Sequence, residues 1–316
     1  MAGYELERAR PAGAQTRVAR KQHGFIVKQV RLSVGGELSE LFRFRASFDL
    51  SDALSPETGA SYTSPPYIRT ATLEYRPSRA FHLQVGRFKR PFSELELTSA
   101  SDLPILSRGL FNGLAIEDNQ WGDRAIGVMA SGRLKDPKLR WYLSLTNPGW
   151  SSTISTEGVD VLGRVQWSLH KALTLSVNGG YKNIELGAER LHDYAVGGDI
   201  DLELGALHLM LEGSSVDLPF EADRPRGLGA HLLCDYVAEL NGHWALQPTF
   251  FVEYADADTR LSQTESMRVV LGLNLLGYSG FRLMPQLALV RSLGDTSQQN
   301  PWLESETYSL VFSLVL

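Results

Sequence analysis

Basic residues recur at a spacing of two along segments that are otherwise rich in large apolar side chains. Arg43 and Arg45, for example, alternate with Phe42, Phe44 and Phe48. Successive side chains of a β-strand point to opposite faces, so this spacing predicts a charged face opposite an apolar face. The same polar faces also carry acidic residues, so most of these charges are expected to be solvated or paired. The basic residues that we assign to such polar faces are Arg43, Arg45, Arg76, Arg164, Lys182 and Arg268.

No arrangement of residues predicts catalysis. The seven histidines are dispersed, and no serine stands in a motif that would pair it with a histidine base. The chain carries neither a glycine-rich phosphate loop nor zinc-ligand spacing, and Cys234 is its single cysteine. We therefore predict a protein that is not an enzyme and that needs no metal or cofactor.

Composition narrows the class of protein. The chain has 316 residues, a net charge of −5 and 43% hydrophobic residues. No window of 18 residues is free of charges and apolar enough for a transmembrane helix. Residues 1–150 hold 21 Lys and Arg against 15 Asp and Glu, and the remainder holds 10 against 21. Because the basic residues are scattered rather than clustered in blocks, nucleic acid is not a predicted partner.

Alternation of apolar and polar residues recurs along almost the whole chain. Each alternating segment is about ten residues long, the length of a tilted strand that crosses a bilayer. The final segment, 308–316, alternates large apolar with small side chains, which is typical of the last strand of an outer-membrane barrel. We predict sixteen strands, at 3–9, 24–35, 38–50, 67–76, 80–88, 123–132, 138–146, 157–168, 172–182, 191–202, 205–216, 227–238, 243–254, 263–276, 280–291 and 304–316.

The connections between these strands alternate between short and long. The long connections are predicted at 51–66, 89–122, 147–156, 183–190, 217–226, 255–262 and 292–303. Outer-membrane barrels have short periplasmic turns and longer extracellular loops, whereas a soluble sandwich has no reason to place every long loop at one end. We therefore predict an all-β fold: a closed antiparallel transmembrane barrel that forms a single domain over 1–316, embedded in the lipids of a Gram-negative outer membrane.

The connection 89–122 is the longest segment without strand alternation. A loop of this length in a compact fold is usually functional or disordered. Its leucine, isoleucine and phenylalanine residues need burial, so we predict that this third loop folds into the barrel and narrows the lumen. A sixteen-stranded barrel encloses an aqueous channel, in which the six basic residues named above would line the pore.

The strand that leads into this loop and the first residues of the loop carry VGxFKxPF followed by LTS, over residues 85–99. This pattern resembles that of the phosphate-selective porin O and P family. The matching segments are 85–92 (VGRFKRPF), 95–99 (LELTS), 107–108 (SR), 123–128 (DRAIGV), 30–36 (VRLSVGG) and 68–75 (IRTATLEY). The close match covers roughly residues 24–132, and beyond it only the rhythm of the strands agrees.

The resemblance implies a homotrimeric porin of sixteen strands whose third loop constricts the pore and whose basic residues bind anions. Residue by residue, it makes Arg87, Lys89, Arg90 and Arg108 candidates for the constriction and for anion binding. Arginine offers planar, bidentate donors to an oxyanion, and lysine offers a compact charge. Several weak sites in series allow an anion both to enter and to leave.

Two functions follow from this barrel. The first is a porin that passes small hydrophilic solutes or anions, phosphate among them, by passive diffusion. The alternative is a porin-like structural barrel that anchors a larger cell-envelope complex in the outer membrane. Conductance across a planar bilayer distinguishes them, because only a porin gives well-defined channel openings.

Overall fold

The computed structural model describes residues 2–10, 22–27, 30–50, 67–136, 138–148, 157–186, 189–219, 221, 223–261, 264–277, 280–293 and 304–314. Strands make up most of this part of the chain. They are β1 (Ala2–Arg10), β2 (Gln22–Val27), β3 (Arg31–Glu37), β4 (Phe42–Asp49), β5 (Tyr67–Tyr75), β6 (His82–Lys89), β7 (Arg124–Leu134), β8 (Leu139–Thr146), β9 (Glu157–His170), β10 (Leu173–Leu186), β11 (Glu189–Leu204), β12 (Leu207–Asp217), β13 (Arg226–Tyr236), β14 (Ala238–Asn241), β15 (Trp244–Asp256), β16 (Glu265–Gly277), β17 (Phe281–Ser292) and β18 (Glu304–Leu314).

Two short helices lie between β6 and β7: an α-helix, α1 (Glu94–Leu97), and a π-helix (Asn112–Asp118). Among the described residues, no helix has the length and apolarity that a membrane-spanning helix needs.

The strands form one antiparallel sheet in which neighbours along the chain are neighbours in space. β13 and β14 both pair with β15 and are separated only by Val237. β2 pairs with β1, and β3 pairs with β4. If β2 is counted with β3, and β13 with β14, the eighteen segments make sixteen strands, as predicted. β1 pairs along its whole length with β18, and its first six residues also pair with β2, so the predicted strand 3–9 is confirmed.

Alternation decides which side chains each face of the sheet presents. In β8, Leu143 is 53% exposed, whereas its neighbour Ser144 is fully buried. In β4, Phe42 is exposed, whereas Ser47 and Asp49 are buried. One face is therefore apolar and uncovered, and the other is polar and largely covered. Large aromatic side chains exposed on the apolar face near strand ends include Trp167, Tyr236, Trp244 and Tyr308, the positions that interfacial girdles occupy.

The two largest differences between predicted and observed strand boundaries are four residues each. Residues 38–41 form a turn rather than the start of a strand, because the Leu38 N–H donates to the Phe42 carbonyl (2.9 Å) and closes it. The long connection predicted at 183–190 is also wrong. There β10 and β11 continue to Leu186 and Glu189, which face each other in register. The predicted loop 51–66 and most of the predicted loop 292–303 lie outside the described residues.

Prolines in two strands are accommodated differently. Pro248 in β15 faces Leu273 of β16 within an unbroken register. Next to Pro285 in β17, the pairing with β16 lapses between the pairs Gly272–Gln286 and Leu275–Leu283, whereas the pairing with β18 continues. Proline has no N–H to donate, so a local loss of pairing on one side is the expected consequence.

The core lies between the covered face of the sheet and the segment 90–123, which joins β6 to β7. One apolar cluster packs side chains of this segment, among them Phe92, Phe111 and Trp121, against Leu162 and Leu218. A second cluster packs Leu95, Leu103 and Ile105 against residues of β12, β13, β15 and β16, which are Met210, Leu233, Phe251 and Val270. The segment 90–123 is thus a packed part of the fold.

Candidate functional site

The two ends of the segment 90–123 lie next to each other. Its base is closed by Arg90, whose backbone N–H and side-chain Nε both donate to the Asp123 carbonyl (3.3 and 3.0 Å). α1 follows at once, and the Ser93 hydroxyl accepts from the Glu96 N–H (3.2 Å), which satisfies one of the free amides at a helix N-terminus. The segment is therefore pinned at its base before it crosses the sheet.

Two buried carboxylates of the sheet hold the backbone of this segment. Glu212 of β12 accepts from the Leu95 N–H (3.1 Å). Glu253 of β15 accepts from the Leu110 and Phe111 N–H groups (2.7 and 3.0 Å). Hydrogen bonds from amides to a charged acceptor are stronger than those between neutral groups. These contacts fix the path of the segment from β12 to β15.

Side-chain amide and indole groups add further hydrogen bonds between the segment and the sheet. Asn274 of β16 and Gln286 of β17 both donate to the Pro104 carbonyl (2.9 and 2.8 Å). From the segment itself, the Trp121 indole donates to the Asp217 carbonyl at the end of β12 (2.7 Å). The segment thus reaches from β12 to β17, and the polar side chains of the covered face are used to bind it.

Arg90 and Lys182 share one buried carboxylate. Arg90 lies 2.8 Å and Lys182 lies 3.3 Å from Asp160 of β9, and all three side chains are inaccessible to solvent. Lys182 also donates to the carbonyls of Asn119 and Gln120 (3.1 and 3.0 Å). Buried charges must be paired, and here the pairing attaches both ends of the segment 90–123 to the sheet.

Two other predicted pore residues also lie beneath the segment. Arg164 of β9 lies 2.7 Å from Asp199 of β11 and 2.7 Å from Glu94 of α1. The Arg268 guanidinium lies 6.0 Å from the ring centroid of Phe251. Both arginines are buried, and both contact residues of the segment or of the wall that supports it.

Lys89 and Arg108 converge on Glu96 at the edge of the segment. Lys89 lies 3.2 Å and Arg108 lies 3.3 Å from the Glu96 carboxylate. Arg108 also donates to the carbonyls of Leu95 and Thr98 (3.0 and 2.9 Å). Two cations share one carboxylate, so the cluster keeps a net positive charge.

These two cations border a cavity of about 270 Å³ between the segment and strands β3–β7. Asp49 lies 3.0 Å from Arg69, which lines the cavity from β5. None of the described residues that line the cavity is acidic. Its basic lining residues are Arg31, Arg45, Arg69, Lys89, Arg108 and Arg124.

A second cavity of about 330 Å³ continues along the same strands. The two cavities share Arg45, Thr72 and Gln84, so they meet. The second cavity adds Arg43 and one acidic residue, Glu74. A polar path therefore runs along β3–β7, on the side that the segment 90–123 does not fill.

The structure separates the predicted site residues into groups. Arg43, Arg45, Lys89 and Arg108 line the two cavities, whereas Arg164, Lys182 and Arg268 are buried beneath the segment 90–123 and Arg90 is buried at its base. The two remaining residues lie apart from both groups. Arg76 lies at the end of β5, 3.8 Å from Glu74 and 3.9 Å from Glu37. Arg87 faces Ile126 in register, an apolar residue that is 56% exposed.

Sequence reasoning did not assign Arg69 and Arg124 to the site. Arg124 faces Lys89 directly in register, and like charges directly opposite each other on paired strands are destabilising. This pairing of Lys89 with Arg124 could have been found from the sequence, by aligning β6 with β7, the strand that follows the loop. The apolar wall of Met210, Leu233, Phe251 and Val270 was also missed. Its signal is a run of consecutive apolar residues, such as 250–252, where strict alternation predicts a polar residue.

The fold resembles those of solved outer-membrane proteins. The anion-selective porin from Comamonas acidovorans matches with a TM-score of 0.68 and 13% identity, covering 99% of this chain and 96% of that chain. OmpF of Salmonella typhi, in complex with daunomycin, matches with a TM-score of 0.65 and 7% identity over 99% and 96%. OmpT of Vibrio cholerae in its trimer form matches with a TM-score of 0.64 and 10% identity over 99% and 97%. No curated protein matches the chain.

The fold is thus that of the outer-membrane porins. The model of the phosphate-selective porin O and P family matches residues 10–180, more than half of the chain, and the chain belongs to that family. The predicted family is confirmed. The protein is an outer-membrane porin for small solutes, and its family and fold are those of a channel.

Proposed function

We propose that the sheet closes into a single barrel domain over 1–316 and that the segment 90–123 lies inside it as the constriction loop. Closure is supported by β1, which pairs with both β18 and β2. A membrane-spanning sheet with an open edge would leave backbone groups unsatisfied in lipid. The inward position is supported by the buried apolar and polar contacts between the segment and β9–β17.

The water-filled path then runs along β3–β7, since the opposite wall is covered by the segment. Lys89 and Arg108 border the path from the loop side, and Arg43 and Arg45 border it from the wall. Arg90, Arg164, Lys182 and Arg268 hold the loop in place instead of contacting solute. Arg76 lies toward the short turns, at the periplasmic end of the proposed pore.

The pore favours small anions, phosphate among them. The single observation that carries this proposal is the cavity of about 270 Å³ that is lined by six basic side chains and by no acidic one among the described residues. A narrow cleft with low-dielectric walls and charges of one sign concentrates counter-ions. Several basic groups in series let an anion pass between weak sites.

A charge reversal at Arg45 tests the proposal. Arg45 lines both cavities, so Arg45→Glu should lower the anion-to-cation permeability ratio measured from the reversal potential in a KCl gradient. Arg79→Glu makes the same change of net charge in a short turn and is the matched control, for which the ratio should stay unchanged. An unchanged ratio in Arg45→Glu, or an equal fall in both variants, would refute the proposed path. Absence of any channel openings from folded protein would favour the structural-anchor function instead.

We also propose that the porin assembles as a homotrimer, as the trimer form of Vibrio cholerae OmpT suggests for this fold. The uncovered apolar face of the sheet provides surface for contacts between barrels as well as for lipid. Cross-linking of the folded protein in detergent, followed by gel analysis without boiling, should give a trimer band. A monomer at every protein concentration would refute this assembly.

A further inference from the structure

The cavity of about 270 Å³ has an apolar wall as well as a charged one. Phe88 of β6, Met129 of β7, and Leu97 and Ala100 of the loop all line it. Leu97 and Met129 are only partly buried. An inorganic anion gains nothing from such a wall, because it is hydrated on every side and prefers polar contacts.

The size of the cavity also exceeds the needs of a small inorganic ion. At about 30 Å³ for each water molecule, 270 Å³ corresponds to about nine waters. The lining combines six charged side chains with four apolar ones, so charged groups can fix the orientation of an organic ligand while the apolar wall contributes affinity.

From these observations we infer that the cavity is a binding site for small organic carboxylates that carry an apolar body, such as an aromatic ring. The carboxylate is held by Arg45 and Arg69, which enter from β4 and β5. The apolar body lies against Leu97 of the loop and Met129 of β7. Arginine suits this role, because its planar donors match a carboxylate in a bidentate geometry. The inference deepens the proposed anion pore and rests on it.

Block of chloride current by added carboxylates measures this preference. We compare benzoate, acetate and inorganic phosphate, each titrated into KCl at constant ionic strength and pH on a planar bilayer. Benzoate should halve the chloride current at about one tenth of the concentration of acetate, which corresponds to about 1.4 kcal/mol. Phosphate, which also lacks an apolar body, serves as the inorganic reference.

Variants then locate the site. In the double variant Leu97→Gln, Met129→Gln, the benzoate-to-acetate ratio should fall from about tenfold to below about threefold, with acetate block unchanged, because only the apolar contact is lost. Leu106→Gln changes a leucine of the same loop that lines neither cavity, and it should keep the tenfold ratio. Arg45→Gln should weaken block by benzoate and acetate alike.

The outcomes separate this inference from the proposed function. If the pore prefers anions in the reversal-potential experiment but benzoate and acetate block equally, the organic-anion site is refuted and the anion pore stands. If the benzoate-to-acetate ratio stays near tenfold in the double variant Leu97→Gln, Met129→Gln, the apolar contact lies elsewhere and the site is likewise refuted. If there is no anion preference at all, the proposed function itself has failed.

Discussion

Arg90 and Asp160 form an ion pair of 2.8 Å in which neither side chain is accessible to solvent. Arg90 directly follows β6, and Asp160 lies in β9, so the pair ties the start of the loop to a strand that is three positions along the sheet. Lys182 of β10 shares the same carboxylate at 3.3 Å. The arrangement makes Asp160 the common partner of two buried cations.

Asp160→Asn should therefore destabilise the protein more than Arg90→Met. Removing the carboxylate leaves two buried cations without their anion, a change that costs about 3–5 kcal/mol when one partner of a buried pair is lost. In Arg90→Met, Lys182 still compensates the charge of Asp160, so the cost is smaller. Urea unfolding of each variant in detergent, followed by tryptophan fluorescence, measures the two losses of stability.

Arg226→Met is the control, because it removes a more exposed ion pair with Asp217 (3.0 Å). It should leave the urea concentration at the midpoint of unfolding nearly unchanged. Equal losses in Asp160→Asn and Arg90→Met would contradict the shared-partner arrangement.

A glycine substitution tests how firmly Glu253 holds the loop. Gly109 has φ of +113°, and a Cβ there would lie 2.5 Å from a carboxylate oxygen of Glu253. Gly109→Ala should displace the loop from that carboxylate and increase the current noise of the open channel. Gly113→Ala is the control, because its Cβ meets no atom within 4 Å. Equal noise in Gly109→Ala and wild type would mean that the Glu253 contacts do not set the position of the loop.

The two faces of the sheet should respond oppositely to a new charge. Leu143 is half exposed on the apolar face, so Leu143→Arg should cost about 2–4 kcal/mol near the middle of the membrane and reduce assembly. Gln84 lines both cavities, and Gln84→Arg should assemble normally, since the new charge faces water. The folded fraction in bilayers, read from the gel shift between heated and unheated samples, gives the comparison. A greater loss in Gln84→Arg would reverse the assignment of the faces.

Anion preference should weaken as salt rises. The screening length is about 10 Å at 0.1 M and about 3 Å at 1 M, so distant members of the basic cluster stop acting on a passing ion. The permeability ratio of chloride over potassium, measured at one fixed concentration gradient, should fall between these two ionic strengths. A ratio that does not depend on salt would indicate that size or direct coordination, and not the field of the cluster, selects the ion.

The alternation in the sequence was sufficient to predict the sheet. The period of two along β4 separates Arg43 and Arg45 from Phe42 and Phe44 before any contact is known, because strand geometry alone fixes that separation. It also predicted the number of strands and the long segment after β6. The predicted loop at 183–190 failed because polar residues continue a hairpin beyond the apolar part of its strands, as Glu185 facing Arg190 shows. Alternation of apolar and polar residues gives no strand signal in that part of the hairpin.

Only the tertiary structure decided which charges face the path and which hold the loop. Lys89 and Arg90 are adjacent in sequence, yet Lys89 lines the cavity and Arg90 is buried on Asp160, 70 residues away along the chain. Likewise, Met210, Leu233, Phe251 and Val270 form a wall for the loop only because four strands pair in one register. Local pattern sets the face of a side chain, but its partners depend on long-range register and on the path of the loop, which no short stretch of sequence encodes.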